Sequence, residues 1–235
     1  RIDTDTTVSY TYNNAKTYTV KLIAADTSGS NCHDTTSQQI TISGYPTAKF
    51  TMSKTPICSG DNQSFTNNSF GSSLTYSWDF GDGSSNSTKK APSHTYTYTG
   101  SGKGSITNQV KLVVTNGSGC QDSVTKNLNV WSNPSASYNY ALDTVCSGAP
   151  QQFTNTSNGK GLSYNWDFKD GNGSKSANPN HIYEFTGSGY KTVSPSLTVT
   201  NGGGCKNSTS NSFEVGKKPD PTFAPTTDLN NCAGK

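Results

Sequence analysis

YSWDFGDG, residues 76–83, returns as YNWDFKDG at residues 164–171. Trp78 recurs as Trp166, 88 residues later, and several cysteines and aromatic residues recur at nearly the same offset. Self-similarity of this kind indicates a chain of tandem structural repeats. The sequence therefore predicts repeated domains that each carry one copy of the motif.

The register of the matches predicts two central repeats, residues 44–131 and 132–216. Residues 1–43 match the back half of a repeat, and residues 217–235 match the start of another. Between them, the two end pieces lack the part that carries the WDFGDG motif. We therefore expect the sequence to be a segment of a longer tandem array.

The composition favours strands and a polar surface. Hydrophobic residues make up 29 % of the chain and charged residues 14 %, so most of the polarity comes from Ser, Thr, Asn and Gly. Thr, Tyr, Val and Phe favour strands, while Asn, Gly, Ser and Pro favour turns. The net charge is +3 with scattered basic residues, unlike the basic patch typical of nucleic-acid binding. No apolar run reaches the ~20 residues of a membrane helix, so we expect no membrane span in this segment.

Short strand-like stretches such as AKFTMS, LTYSWDF and VKLVVTN alternate with Gly, Asn, Asp and Pro clusters. Six or seven short strands in about 88 residues predict an all-β, immunoglobulin-like β-sandwich. A tryptophan in the third strand of such a sandwich usually anchors the core. We therefore expect Trp78 and Trp166 to be core residues, and His94 and His181 to be structural, hydrogen-bonded residues.

The order of motifs within a repeat resembles the polycystic kidney disease (PKD) domain family. Phe-x-Asn-x-Ser is followed by Tyr-x-Trp-Asp-Phe-Gly-Asp-Gly, then by His-x-Tyr and a Val-x-Leu-x-Val strand. The resemblance covers both central repeats fully and both end pieces in part, and it implies noncatalytic sandwiches used as spacers, stalks or adhesion modules. Cys-Ser-Gly early and Gly-Cys late in a repeat resemble PKD arrays of secreted Bacteroidetes surface proteins, including adhesins and cargo of type IX secretion.

The resemblance implies an extracellular or cell-surface segment that is not an enzyme and forms a stalk or filament supporting adhesion or display. Its partners would be neighbouring PKD repeats of the same chain, and chains that assemble laterally. The alternative is a module that binds surface polysaccharide or protein, accessory to a secreted hydrolase. Solvent-facing aromatic residues at a repeated position favour binding, whereas buried ones favour the scaffold.

The motif carboxylates have two interpretations. Asp79 and Asp82 can accept hydrogen bonds from turn amides, as in Asx turns, and fix a hairpin. Alternatively they bind calcium, which prefers several oxygen ligands, as some PKD domains do. The predicted calcium ligands are Asn67, Ser69, Asp79 and Asp82 in one repeat and Asn155, Ser157, Asp167 and Asp170 in the next. No cofactor is required otherwise, and no nucleophile has a credible base.

Lys169 replaces the first motif glycine, Gly81, in the second copy. The Asp-Phe-Gly triplet of a kinase magnesium site is therefore absent from that copy. The replacement also argues against a requirement for positive φ at this position, because a non-glycine residue occupies it.

Six cysteines without a CxxC pair predict disulfides in an oxidising setting rather than zinc. In a seven-stranded sandwich the first loop, with Cys58 or Cys146, lies at the opposite pole from the last hairpin, with Cys120 or Cys205. The poles are roughly 25 Å apart, whereas disulfide-bonded Cα atoms lie within about 7 Å. The topology therefore predicts a bond between Cys58 and Cys205 across adjacent repeats. Two alternatives stay open: Cys58 with Cys120 and Cys146 with Cys205, or Cys120 with Cys146.

The Bacteroidetes resemblance also implies O-glycosylation. Asp followed by Ser or Thr, and then by a hydrophobic residue or Thr, resembles the signal of that group. The predicted acceptors are Ser123, Thr144, Thr35 and Thr6.

Overall fold

The computed structural model describes residues 7–26, 32–219 and 221. These residues form strands, turns and loops without a helix, so they contribute no helical segment long and apolar enough to cross a membrane. They fall into two compact units. The first unit comprises the chain up to residue 97 together with 106–130, and the second comprises 98–105 and the chain from 131 onward.

A two-stranded antiparallel hairpin opens the first unit. β1 (Thr17–Ala25) pairs with β2 (His33–Thr41) along their whole length. No other described strand joins this sheet.

The rest of the first unit is a two-layer sandwich. Its strands are β3 (Phe50–Met52), β4 (Ile57–Cys58), β5 (Asn62–Asn67), β6 (Thr75–Asp79), β7 (Ser93–Thr95), β8 (Ser105–Thr115) and β9 (Gln121–Trp131). One sheet has the order β3-β5-β7 and the other β4-β9-β8-β6. Alternate residues of β8, including Leu112, face a core that contains Phe50, Phe65 and Trp78. The Trp78 ring packs 5.1 Å from Phe50 and 5.4 Å from Phe65, measured between ring centroids.

The second unit repeats this sandwich with shorter strands. They are β10 (Tyr138–Tyr140), β11 (Thr144–Cys146), β12 (Pro150–Asn155), β13 (Ser163–Asp167), β14 (Gly173–Ser174), β15 (Asn180–Ile182), β16 (Tyr190–Val193), β17 (Ser196–Thr200), β18 (Lys206–Ser210) and β19 (Phe213–Gly216). The sheets have the orders β10-β12-β15, β11-β19-β16 and β14-β13-β17-β18. Trp166 packs against Tyr138 and Phe153 in the core of this unit.

The long strands β8 and β9 of the first unit are each divided in the second unit, into β16–β17 and β18–β19. Pro195 lies at the first interruption and has no N–H to donate to the sheet. Asn211 lies at the second, and its N–H donates to the hydroxyl of Tyr138 at 2.8 Å. Tyr138 stands where the first unit has Phe50, so a phenol hydroxyl is present only where the strands are divided.

The predicted all-β fold of tandem immunoglobulin-like sandwiches is confirmed. Trp78 and Trp166 are 0 % and 1 % exposed and lie in the two cores. Most of the final predicted segment, residues 217–235, lies outside the described residues, and so does Thr6.

Candidate functional site

Two aspartates shape the turn that follows β6 in the first unit. Asp79 accepts a hydrogen bond from the N–H of Gly81 at 2.8 Å. Asp82 accepts the N–H of Ser84 at 3.1 Å and its hydroxyl at 2.5 Å. A carboxylate that accepts the amide two residues ahead forms an Asx turn, which fixes the backbone of the loop.

The second unit has the same two turns. Asp167 accepts the N–H of Lys169 at 2.9 Å, and Asp170 accepts the N–H of Asn172 at 3.0 Å. Lys169 also places Nζ 2.6 Å from Asp167, in an exposed ion pair. Such pairs contribute little to stability in water, so the backbone hydrogen bonds are the shared feature of the two turns.

A histidine contacts the second aspartate of each turn. Nε2 of His94 on β7 lies 2.7 Å from Asp82, and Nε2 of His181 on β15 lies 2.6 Å from Asp170. The His94 ring also stacks on Phe80, with centroids 4.1 Å apart and planes 3° apart. The second unit repeats this stacking at 4.0 Å and 4°. Because β6 and β7 belong to different sheets, the aspartate and histidine link the two layers of the sandwich.

These hydrogen bonds keep the carboxylates of Asp82 and Asp170 ionised. Burial alone would raise the pKa of Asp82, but hydrogen bonds from Ser84 and His94 outweigh it, and the pKa lies below its ordinary value. Burial is likewise outweighed at Asp170, where hydrogen bonds from its histidine and from Asn172 lower the pKa. Both carboxylates are therefore acceptors at neutral pH.

Ser84, His94 and Asp82 contact one another without forming a nucleophile relay. The Ser84 hydroxyl, at 3.4 Å, and the Asp82 carboxylate both lie against the same ring nitrogen of His94. A catalytic triad needs one ring nitrogen for the nucleophile and the other for the carboxylate. Asn172 replaces the serine in the second repeat, so the geometry shared by the two units is that of a brace.

The residue after the motif phenylalanine has a left-handed backbone in both units. The φ angle is 73° at Gly81 and 61° at Lys169, so the argument against positive φ at this position is wrong. A Cβ on Gly81 would lie 2.5 Å from the backbone oxygen of Gln109 on β8. In the second unit the strand that matches β8 is interrupted at Pro195. The position that matches Gly81 carries Lys169 in that unit.

The oxygen ligands predicted for calcium lie in two separate turns of the first unit. Asn67, at the end of β5, accepts the N–H of Ser69 at 2.9 Å. Asp82 lies near the start of β5, because its partner His94 pairs with Gln63. The separation of four residues along the strand from Gln63 to Asn67 corresponds to roughly 13 Å.

The second unit has the same separation. Asn155, at the end of β12, accepts the N–H of Ser157 at 3.0 Å, whereas the partner of Asp170, His181, pairs with Gln151 near the start of that strand. The structure therefore does not bring the four oxygens of either set together. No cluster of three or more His, Cys, Asp or Glu side chains suited to a metal occurs among the described residues.

The cysteines differ in oxidation state. Cys58 and Cys205 are disulfide-bonded, while Cys120 and Cys146 carry free thiols. Within the second unit, Cys146 lies opposite Gly216 at the end of β19, whereas Cys205 precedes β18. About eleven residues of extended chain, or roughly 35 Å, separate these two ends of the sandwich, which exceeds the reach of a disulfide. The identity of the bonded partners stays a prediction.

Three predicted glycosylation acceptors are exposed: Ser123 on β9, Thr144 on β11 and Thr35 on β2. Asp122, which precedes Ser123, accepts the N–H of Ala48 at 2.8 Å. That aspartate therefore has a structural role of its own, and glycosylation stays a prediction.

A packing pair that the sequence reasoning missed lies in the second unit. Trp131 covers the hairpin turn at Gly203, where a Cβ would lie 2.2 Å from Cγ of the indole. The first unit has Ser43 and Ser118 at these positions, with their hydroxyl oxygens 2.7 Å apart. The sequence signal is a pair of changes between the two repeats: tryptophan replaces serine at one position, and a run of three glycines, residues 202–204, replaces Gly-Ser-Gly at the other.

Comparison with known proteins identifies the class of these sandwiches. A sequence model of the PKD domain matches residues 44–132 and again residues 131–215, and the chain therefore belongs to the PKD domain family. PKD domains are typically noncatalytic modules of extracellular proteins. A search of curated proteins found no match.

Two solved PKD domains resemble parts of the chain. The PKD1 domain from the Vibrio cholerae metalloprotease PrtV is 26 % identical, with 36 % of this chain and 98 % of that domain covered and a TM-score of 0.30. The PKD1 domain of Vibrio anguillarum Epp is 30 % identical, with 37 % and 96 % covered and a TM-score of 0.29. A titin I-band fragment is 12 % identical, with 74 % and 66 % covered and a TM-score of 0.41.

Proposed function

We propose that this chain is a noncatalytic structural segment of an extracellular or cell-surface protein, in a PKD array like those of secreted Bacteroidetes proteins. It forms part of a stalk or filament that supports adhesion or display. The observation that carries the proposal is that the repeated motif side chains stabilise the fold. Trp78 and Trp166 fill cores, and Asp82 and Asp170 hold histidines of the opposite sheet.

A covalent staple would suit such a stalk. We propose the bond between Cys58 and Cys205 that the repeat register predicts, and the oxidised state of both residues supports it. Cys120 and Cys146 would then pair with cysteines of further repeats. Pairing within repeats would require these two thiols to be oxidised, whereas both are free.

Single-molecule stretching of the full chain tests the mechanical role. A stalk segment should give two force peaks, one for each sandwich, and the staple should shield the chain between its two cysteines until it is reduced. That segment is about 147 residues, so reduction should release roughly 500 Å of additional length. Extension without force peaks would contradict the stalk. Peaks with no added length would contradict only the staple, and non-reducing peptide mapping would then identify the bonded pair.

A second candidate function, direct binding of surface polysaccharide or protein, is favoured by one exposed aromatic pair. Tyr45 and Phe70 are 82 % and 68 % exposed. Their segments lie side by side, because Thr47 and Phe70 exchange two backbone hydrogen bonds of 2.8 and 3.0 Å. Asn133 and Asn158 stand at the matching positions of the second repeat, so this pair is not a feature of every repeat.

The matched positions provide the test of binding. Retention on insoluble cellulose, chitin and xylan is compared between the wild-type chain, a Tyr45→Ala and Phe70→Ala double variant, and an Asn133→Ala and Asn158→Ala double variant. If the chain is a binding module, only the Tyr45→Ala and Phe70→Ala double variant should lose retention. Equal retention of all three chains would contradict binding through this pair.

Calcium and glycosylation are proposed as additions to the scaffold. Calcium bound at the carboxylates of either predicted set should raise the melting temperature of the chain, and identical melts with calcium and with chelator would remove that proposal. Mass spectrometry of the natively secreted protein should find glycan on Ser123, Thr144 or Thr35. Unmodified peptides covering all three residues would contradict the glycosylation.

A further inference from the structure

The β1–β2 hairpin has the sequence of a core hairpin without its burial. Val20, Lys21 and Leu22 match the Val-Lys-Leu of β8 at residues 110–112. The backbone hydrogen bond that closes the hairpin turn is also matched. The N–H of Asp26 donates to the carbonyl oxygen of Cys32 at 2.9 Å, and the N–H of Asn116 donates to that of Cys120 at 3.0 Å. The two hairpins therefore have equivalent positions that can be compared one by one.

Equivalent side chains differ sharply in exposure. Leu112 is 0 % exposed in the sandwich, whereas Leu22 is 66 % exposed. Val20 and Ile40 are each 38 % exposed, although their counterparts on β8 and β9 are fully buried. Tyr10 is 65 % exposed, and its counterpart in the matching Tyr-Thr-Tyr run, Tyr96, is fully buried. We call Tyr10, Val20, Leu22 and Ile40 the hairpin face.

The edges of the hairpin are also open. In the sandwich, β6 covers the outer edge of β8 and β4 covers the outer edge of β9. Among the described residues, β1 and β2 pair only with each other. An open strand edge is a template for further pairing, and an isolated two-stranded hairpin is marginally stable in water.

We propose that the hairpin face is the docking surface for the front half of another PKD domain in the same polypeptide. This front half is a strand set equivalent to β3–β7, which carries the Phe, Phe and Trp of the core. The first unit supplies the template, because its own front half covers β8 and β9 in this way. The inference rests on the fold and is independent of the proposed mechanical role.

The template also fixes the register. In the first unit, Trp78 lies opposite Leu112, and Asp79 lies opposite Lys111. The docked strand therefore places its tryptophan opposite Leu22 and its aspartate opposite Lys21. An apolar pair next to an oppositely charged pair favours this register over a shift by one residue, which would turn the tryptophan to the outer face.

The test supplies a front half to the full chain. A copy of residues 44–94 is joined directly ahead of Ser9. The His94 of the copy is then followed by Ser9 and Tyr10, as His94 is followed by Thr95 and Tyr96 in the first unit. Hydrogen exchange of the β1 amides should slow by at least ~100-fold relative to the wild-type chain, because global rather than local opening is then required. A second chain carries the front half of the second repeat, residues 132–181, at the same junction, in case the first copy does not fold.

Leu22→Asp is the control for the hairpin face. It should abolish the new protection in the grafted chain, and it should leave the unfolding of both units unchanged in the wild-type chain because Leu22 is exposed there. Leu112→Asp should unfold the first unit. Fast exchange of β1 in both grafted chains would overturn the proposal. Concentration-dependent protection in the wild-type chain would overturn it too, by identifying a second copy as the occupant.

Discussion

The hydroxyl of Tyr138 donates to the carbonyl oxygen of Pro195 at 2.6 Å, at the point where the long strands of the second sandwich are divided. The same hydroxyl accepts the N–H of Asn211 at 2.8 Å. One buried phenol thus bonds one backbone group at each of the two interruptions, where the sheet ladder leaves that group unpaired. Burial raises the pKa of this phenol, which keeps it protonated and able to donate.

Tyr138→Phe should therefore destabilise the second unit by about 1–3 kcal/mol, because the buried carbonyl of Pro195 and the part-buried N–H of Asn211 each lose the hydrogen bond to the phenol. Chemical denaturation followed by fluorescence measures the change. Tyr140→Phe is the control: its hydroxyl donates to Ser212 at 2.9 Å in an exposed position, where water can replace it. Equal effects of the two substitutions would contradict the role of Tyr138.

Gly203→Ser should destabilise the second unit by about 1–3 kcal/mol, as overpacking does, because the added Cβ would overlap the Trp131 ring. The reverse change at the matching position, Ser118→Gly, should cost less, since it removes only an exposed hydrogen bond to Ser43. Adding Trp131→Ser to Gly203→Ser should recover much of the loss. Additive effects of these two changes in a double-mutant cycle would contradict the contact.

The sequence predicted the sandwich because strand alternation and the repeat register are local and periodic signals. It also located the turn aspartates, because an Asx turn depends on residues only two positions apart. The sequence did not show that Asn67 and Asp82 are far apart. Their distance depends on the end of β5 at which each turn lies, and the motif spacing does not reveal this. The bond between Tyr138 and Pro195 joins residues far apart in the chain, and only the replacement of Phe50 by tyrosine signals it in the sequence.

The tyrosines that follow the two histidines should respond differently to loss of their hydroxyls. Tyr96 donates to the carbonyl oxygen of Phe80 at 3.1 Å in the core, so Tyr96→Phe should cost about 1 kcal/mol. The hydroxyl of Tyr183 is buried without a hydrogen-bond partner among the described residues. Tyr183→Phe should therefore be neutral or stabilising, because it removes a buried polar group that lacks a partner. Thermal unfolding of the two variants checks this order, and a larger loss from Tyr183→Phe would reverse it.

The link between Asp82 and His94 should give the first unit a specific acid sensitivity. The pKa of Asp82 is lower in the folded chain than its ordinary value of 3.8. Its ionised form therefore contributes stability that is present above that value and is lost as the pH falls through the lowered folded pKa. Asp82→Asn should destabilise the first unit at pH 6 and should flatten the fall in its stability below about pH 4.

Asp170→Asn should have the same effect on the second unit only, because the pKa of Asp170 is lowered in the same way. Denaturant unfolding between pH 6 and pH 2 measures both units, and each variant serves as the control for the other. An unchanged pH dependence in both variants would show that other carboxylates, and not the two bound to His94 and His181, make the sandwiches sensitive to acid.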